Sequence, residues 1–153
     1  MAKKADAFFS PVLRSGGPGN WFFDFGKHWF AVLEIEADAD KEGEVTLAVG
    51  EVLAADGKID RTPGGSRIYQ EETVKLKPGH NRLSMTMFHP GYNKGTLPIT
   101  PNVAPFRYAE VRGFSGPGRA FQHAYFYDLT MPLRILNAVR RISKASGNSA
   151  NIP

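Results

Sequence analysis

The sequence predicts an all-β protein, an antiparallel β-sandwich or jelly roll with a short basic C-terminal tail. Three observations carry that expectation. Stretches of strand length show apolar residues at alternate positions, glycine and proline pairs punctuate them, and helix-like spacing is absent before residue 133.

Taken in order, the strands are Trp21 to Phe25, His28 to Ala37, Glu44 to Leu53, Arg67 to Leu76, Arg82 to Phe88, Phe106 to Arg112 and Ala120 to Asp128. The first two flank Gly26, which lets the chain turn, and their aromatic and aliphatic side chains fill the space between two sheets. Val45, Leu47 and Val49 form one inward face, and Leu83, Met85 and Met87 form another. Turn signals at Asp56-Gly57, Pro63-Gly64-Gly65, Pro78-Gly79 and Pro90-Gly91 separate the later strands. Residues 1–19 are a lead-in, 20–132 the sandwich and 133–153 a tail. In that tail Leu133, Leu136, Val139 and Ile142 are spaced for a helix, and SGNSANIP reads as disordered.

Composition narrows the function classes. The chain has 153 residues, enough for one domain with its own core. Cysteine is absent, which excludes a disulfide scaffold, a thiolate zinc site and a thiol nucleophile. No stretch approaches a membrane span, and MAKKADAFFSPVL does not read as a signal peptide. The net charge of +4 resides entirely in Arg134, Arg140, Arg141 and Lys144, because residues 1–132 hold 15 basic and 15 acidic groups. A neutral body argues against a nucleic-acid platform, which would spread its cations over the folded surface. Asp24-Phe25-Gly26 spells the magnesium-binding triplet of protein kinases, but it lies too early for a glycine-rich loop and catalytic loop to precede it.

Five segments in this order, FDFGKHWFAVLEIE, VTLAVGEVLAADGKI, SRIYQEETVKLKPG, PFRYAEVRGF and YDLTMPL, are similar to the non-catalytic β-sandwich domain that precedes the catalytic barrel of bacterial alpha-L-rhamnosidases. The resemblance covers about residues 20–132 and departs from the family at Ala31, where glycine is frequent. It implies a jelly roll associated with rhamnose-containing glycans. The helical barrel that bears the family's catalytic carboxylates is not in this chain, so the resemblance implies an accessory domain and no activity of its own. Alternatives are a purely structural domain that packs on a barrel or self-associates, and a small isomerase- or lyase-type enzyme on the same fold.

The candidate carbohydrate-binding residues are Glu51, Arg67, His89, Tyr92 and Asn93. Carboxylate and guanidinium groups hydrogen-bond sugar hydroxyls well, and HPGYNKGTLP is a glycine- and proline-containing loop of the kind that carries function. The competing reading of Glu51 and Arg67 is an internal ion pair, with Arg107 as a further partner. Trp21 and Trp29 are either stacking platforms or core; Trp29 shares its face with Ala31, Leu33 and Ile35, which favours core. Asp38, Asp40, Glu42 and Gly43 resemble half of a calcium loop, but its twelfth position is Val49, so a solvated hairpin turn is expected and no cofactor. His28, His80, His89 and His123 lie far apart with no ligand spacing. Glu71 and Glu72 point to opposite faces of one strand, leaving no carboxylate pair for glycoside hydrolysis.

Overall fold

The computed structural model of the protein describes residues 3–87 and 103–127, with side-chain burial given for 6–87 and 103–124. Its elements are β1 (Lys3–Phe9), β2 (Leu13–Gly17), β3 (Asn20–Ala39), β4 (Gly43–Gly50), β5 (Tyr69–Leu76), β6 (Gly79–Ser84), β7 (Ala104–Arg112) and β8 (Gly118–Tyr127). Every pairing is antiparallel, and no helix occurs among the described residues.

β3 makes one sheet into two layers. It runs for 20 residues, where about 5–6 is usual, and its two ends have different neighbours. Asn20 to Asp24 lies between β2 and β7; Ala31 to Ala37 pairs β8, and Glu34 to Ala39 pairs β6. One layer is therefore β2-β3-β7-β4-β5 and the other β1-β8-β3-β6, joined through the strand they share.

The crossing point is the aromatic run that the sequence divides into two strands. The chain stays in strand geometry there and bulges instead of turning. Between Asp24 and Trp29, β3 advances five residues while β7 advances two, from Tyr108 to Phe106. Gly26 has φ 80°, and a Cβ on it would lie 3.1 Å from a Val12 methyl, so glycine serves both backbone and packing. Asp24 Oδ1 accepts the Gly26 N–H at 2.7 Å. Both Asp24 oxygens also take the guanidinium of Arg107, the one β7 residue inside the gap, through Nε at 2.8 Å and Nη2 at 3.0 Å. Arg107's hydrogen bond holds the Asp24 carboxyl below its usual range; burial opposes this and the Gly26 N–H assists. Gln122 of β8, fully buried, closes the crossing by donating to Phe106 O at 2.6 Å and Lys27 O at 3.2 Å. The Asp-Phe-Gly triplet is thus a bend in a strand.

Alternation then builds a single core. Phe23 and Phe25 of β3, Leu47 and Val49 of β4, and Ala109 and Val111 of β7 face Leu33 and Ile35 of β3 and Ala120 and Ala124 of β8. Val45, Leu47 and Val49 are buried as the pattern predicts, as are Met85 and Met87. Trp29 packs on this core and stacks on Phe9, with ring centroids 5.0 Å apart.

Some boundaries differ from the sequence expectation. β4 ends at Gly50 rather than Leu53, because the chain there folds back over the sheet; a Cβ on Gly50 would strike the Ile59 side chain. β5 accordingly begins at Tyr69 rather than Arg67. β6 starts three residues early, since Asn81 closes the preceding turn by accepting Lys77 N–H at 2.9 Å and donating to Lys77 O at 2.8 Å. Residues read as a lead-in carry β1 and β2, which lack a clean apolar alternation in sequence. Phe88, Asp128 and the whole segment 133–153 lie outside the described residues.

Replacing Arg107 by Ala leaves the Asp24 carboxylate, 15% exposed, without its partner. The expected cost in urea denaturation is about 2 kcal/mol, less than for a fully buried pair because Arg107 is partly solvated. The native Asp24 pKa lies below its unfolded value of 3.8, so the pair's stabilisation is complete above that value and is lost as pH falls through it and below. The same variant should therefore lose less stability than the wild type between about pH 5 and pH 3.

Candidate functional site

The outward side of the β2-β3-β7-β4-β5 layer carries rows of side chains in register. One row is Ser15, Phe22, Glu110, Ala48 and Glu71; its neighbours are Gly17, Asn20, Arg112, Thr46 and Thr73 on one side and Leu13, Asp24, Tyr108, Gly50 and Tyr69 on the other. The alternation that sends Ala109 and Val111 into the core sends Tyr108, Glu110 and Arg112 here.

The segment 51–68 covers part of this surface. Leu53 bridges Ile59, Ala54 N–H donates to Lys58 O at 2.8 Å, and Asp60 N–H donates to Val52 O at 3.0 Å. At its tip Asp56 accepts Lys58 N–H at 3.0 Å and Gly57 has φ 80°, the turn that the Asp-Gly pair predicts. Ile59, 4% exposed, seats this small hairpin against Gly50.

Between that hairpin and β2 lies a cleft of about 310 Å³. Asn20, Phe22, Glu110 and Arg112 come from its strands, Ser15 and Gly16 from β2, and Asp56, Gly57, Lys58 and Arg61 from the hairpin side. The half-buried Phe22 ring is offset against Tyr108, with centroids 5.9 Å apart and planes at 26°. Arg112 is fixed by Glu71, whose Oε2 accepts Nη2 at 2.6 Å. Tyr69 donates its hydroxyl to the same Glu71 oxygen at 2.6 Å. Burial first, and then the Glu71 hydrogen bond and charge, push the Tyr69 phenol up to about 12. Hydrogen bonds from Tyr69 and Arg112 pull the Glu71 carboxyl down. Glu110 is different. It is 9% exposed, its one ionic partner is Arg112 Nε at 3.7 Å, and it makes no hydrogen bond among the described residues.

The residues singled out from sequence do not converge on this cleft. Glu51 accepts the Ile68 N–H at 2.6 Å, so its carboxylate ties the two ends of the covering segment together. Arg67 is exposed and makes no ion pair among the described residues, so neither version of the internal pair forms: Arg107 belongs to Asp24. His89, Tyr92 and Asn93 lie outside the described residues. Trp21 packs on the core side, with the Arg14 guanidinium 3.7 Å above its ring, and offers no open face. Phe22, Glu110 and Arg112 were legible in part. The alternation in PFRYAEVRGF puts Glu110 and Arg112 on one outward face, but the cover that makes a cleft comes from 40 or more residues away in sequence.

Several other titratable groups have structural partners. Asp38 bonds His80 at 2.8 Å beside the β3–β4 hairpin, and among the described residues no group of three His, Asp or Glu side chains is arranged to hold a metal. His28 Nε2 meets Glu51 O at 2.8 Å. His123 is buried between Glu34 Oε1 at 2.6 Å and Asp6 Oδ2 at 3.1 Å, under the stacked ring of Phe8. Glu71 and Glu72 part as expected, Glu72 accepting Thr86 N–H at 2.6 Å.

An antiparallel sheet closed on one core, with an open polar cleft on its outer side, defines a β-sandwich module. The chain belongs to the bacterial alpha-L-rhamnosidase concanavalin-like domain family, whose model matches residues 14–127. Among solved structures it is similar to a rhamnosidase from Klebsiella oxytoca with rhamnose bound, at 16% identity and a TM-score of 0.40; the match covers 74% of this chain and 22% of that one. No curated protein matches.

Glu51→Ala should cost about 1–2 kcal/mol by orphaning the Ile68 N–H, whereas Arg67→Ala should change stability by less than about 0.5 kcal/mol. Chemical denaturation of the two variants checks this; the reverse ranking would restore an ion-paired Arg67.

Proposed function

We propose that this domain is a non-catalytic accessory module of a rhamnosidase-type protein and that it binds carbohydrate in the cleft over Phe22. The cleft carries the reading. Its volume, about 310 Å³, suits a sugar ring, and it combines one aromatic face with carboxylate, guanidinium, amide and hydroxyl groups on a rigid sheet. Membership of the rhamnosidase-associated family supports a glycan as the ligand. The proposal extends to the guanidinium of Arg67, unpaired among the described residues, and to Glu51, His89, Tyr92 and Asn93 as further contacts.

The non-catalytic part of the proposal follows from the carboxylates. Hydrolysis needs an acid and a second carboxylate flanking one bond, about 5–9 Å apart. Glu71 is engaged by Arg112 and Tyr69, and Glu72 faces the other way toward Thr86. A second role, packing on a catalytic barrel or on another copy, is favoured by exposed aromatics elsewhere: Phe8 is 45% and Phe30 56% exposed.

Titrating the isotope-labelled chain with L-rhamnose should shift amides of residues 15–22, 56–61 and 110–112, with a Kd of about a millimolar or somewhat tighter. Aryl rhamnosides should not turn over. Amide shifts confined to other surfaces would sink the cleft, and turnover abolished by changing one carboxylate of this chain would sink the non-catalytic role.

A further inference from the structure

We infer that Glu110 is the selecting group of the cleft and that it accepts hydrogen bonds from adjacent hydroxyls of a neutral sugar ring laid on Phe22. This rests on the reading of the cleft as a carbohydrate site and names the chemistry it selects.

A carboxylate this buried normally holds two or more donors, because removing its hydration is otherwise expensive. Three acids of this layer show it: Asp24 takes Gly26 and Arg107, Glu71 takes Tyr69 and Arg112, and Glu72 takes the Thr86 N–H and hydroxyl, while Glu51 takes the Ile68 N–H. Glu110, 9% exposed, takes none among the described residues. Its neighbour stands beyond hydrogen-bond distance. Arg112 points Nη2 at Glu71, and its Nε, 3.7 Å from Glu110, is itself buried without a hydrogen bond. The cleft therefore contains a carboxylate that accepts no hydrogen bond among the described residues and whose ionic neighbour, Arg112 Nε, stands 3.7 Å away.

The ligand must bring donors. Two neighbouring hydroxyls of a sugar present two O–H groups to the two oxygens of one carboxylate, each bond strengthened by the charge. An anionic ligand would set like charge against Glu110 in a poorly solvated floor. A metal or ammonium ion would satisfy Glu110 but meet Lys58, Arg61 and Arg112 lining the same cleft. A neutral polyol meets neither objection. Phe22, held against Tyr108, receives the ring's C–H face, and Asn20 and Ser15 bond hydroxyls at the cleft's edge.

The test uses the full chain with L-rhamnose, D-galactose, D-glucose, a fully O-methylated rhamnoside and D-galacturonate, each titrated by NMR to about 50 mM, well above the millimolar Kd expected. At least one neutral sugar should bind, its O-methylated form should not, and galacturonate should bind more weakly. Glu110→Gln should weaken binding about tenfold or more while leaving the melting temperature about equal, since the mostly buried charge it removes accepts no hydrogen bond among the described residues and faces Arg112 Nε only at 3.7 Å. Phe22→Ala gives an independent reading and should weaken binding as well. Neutral-sugar binding that survives Glu110→Gln within twofold overturns the inference and leaves carbohydrate binding standing elsewhere on the domain. Preference for galacturonate overturns the neutral-ligand claim. Absence of binding by every sugar removes the carbohydrate reading and the inference with it.

Discussion

Everything in this fold depends on one strand belonging to two layers. β3 can do so only if it bends sharply without losing its hydrogen-bonded neighbours, and the bend is fixed by three groups: the positive φ of Gly26, the Asp24 side chain closing over it, and Arg107 filling the gap on β7. Bulges re-aim the strand that contains them. Here the result is that β2 and β7 flank one half of β3 while β8 and β6 flank the other, so the registers of both layers are set from a single point. The aromatics beside the bend complete it, Phe25 standing edge-on to Phe106 at 5.9 Å.

The two outer surfaces then acquire different chemistry. On the β1-β8-β3-β6 layer, the buried acids and histidine serve one another: His123 lies between Glu34 and Asp6, and Arg82 reaches Glu34 at 3.2 Å. That cluster fastens β1, an edge strand, through Asp6 and through Phe8 stacked on the imidazole at 4.0 Å. Polar groups in this layer are spent on holding the fold. On the other layer Tyr69, Glu71 and Arg112 form a hydrogen-bonded chain, which reaches Glu110 only through Arg112 Nε at 3.7 Å.

That difference separates scaffold from candidate site. A binding group is useful when its neighbours are already locked, because little ordering then remains to oppose association. Arg112 locked on Glu71 and Phe22 against Tyr108 supply such a frame, and the hairpin seated by Ile59 supplies the wall.

The sequence by itself determined the β class, most strands, the inward faces of Val45-Leu47-Val49 and Met85-Met87, and the family resemblance, because side-chain alternation and turn residues are local properties. It also determined that Glu71 and Glu72 separate, which follows from the period of a strand. The exposed strand β2 and the edge strand β1 were not legible, since neither alternates clearly and each exists through its partner, β3 or β8. Nor was the role of Asp24: pairing it with Arg107 requires bringing together residues 83 apart in sequence. The candidate cleft was decided by tertiary structure alone. Whether an outward carboxylate is solvated or covered depends on what lies over it, and the segment 51–68 that covers this face is written far from Glu110; sequence reasoning singled out Glu51, whose carboxylate accepts the Ile68 N–H, and did not single out Glu110.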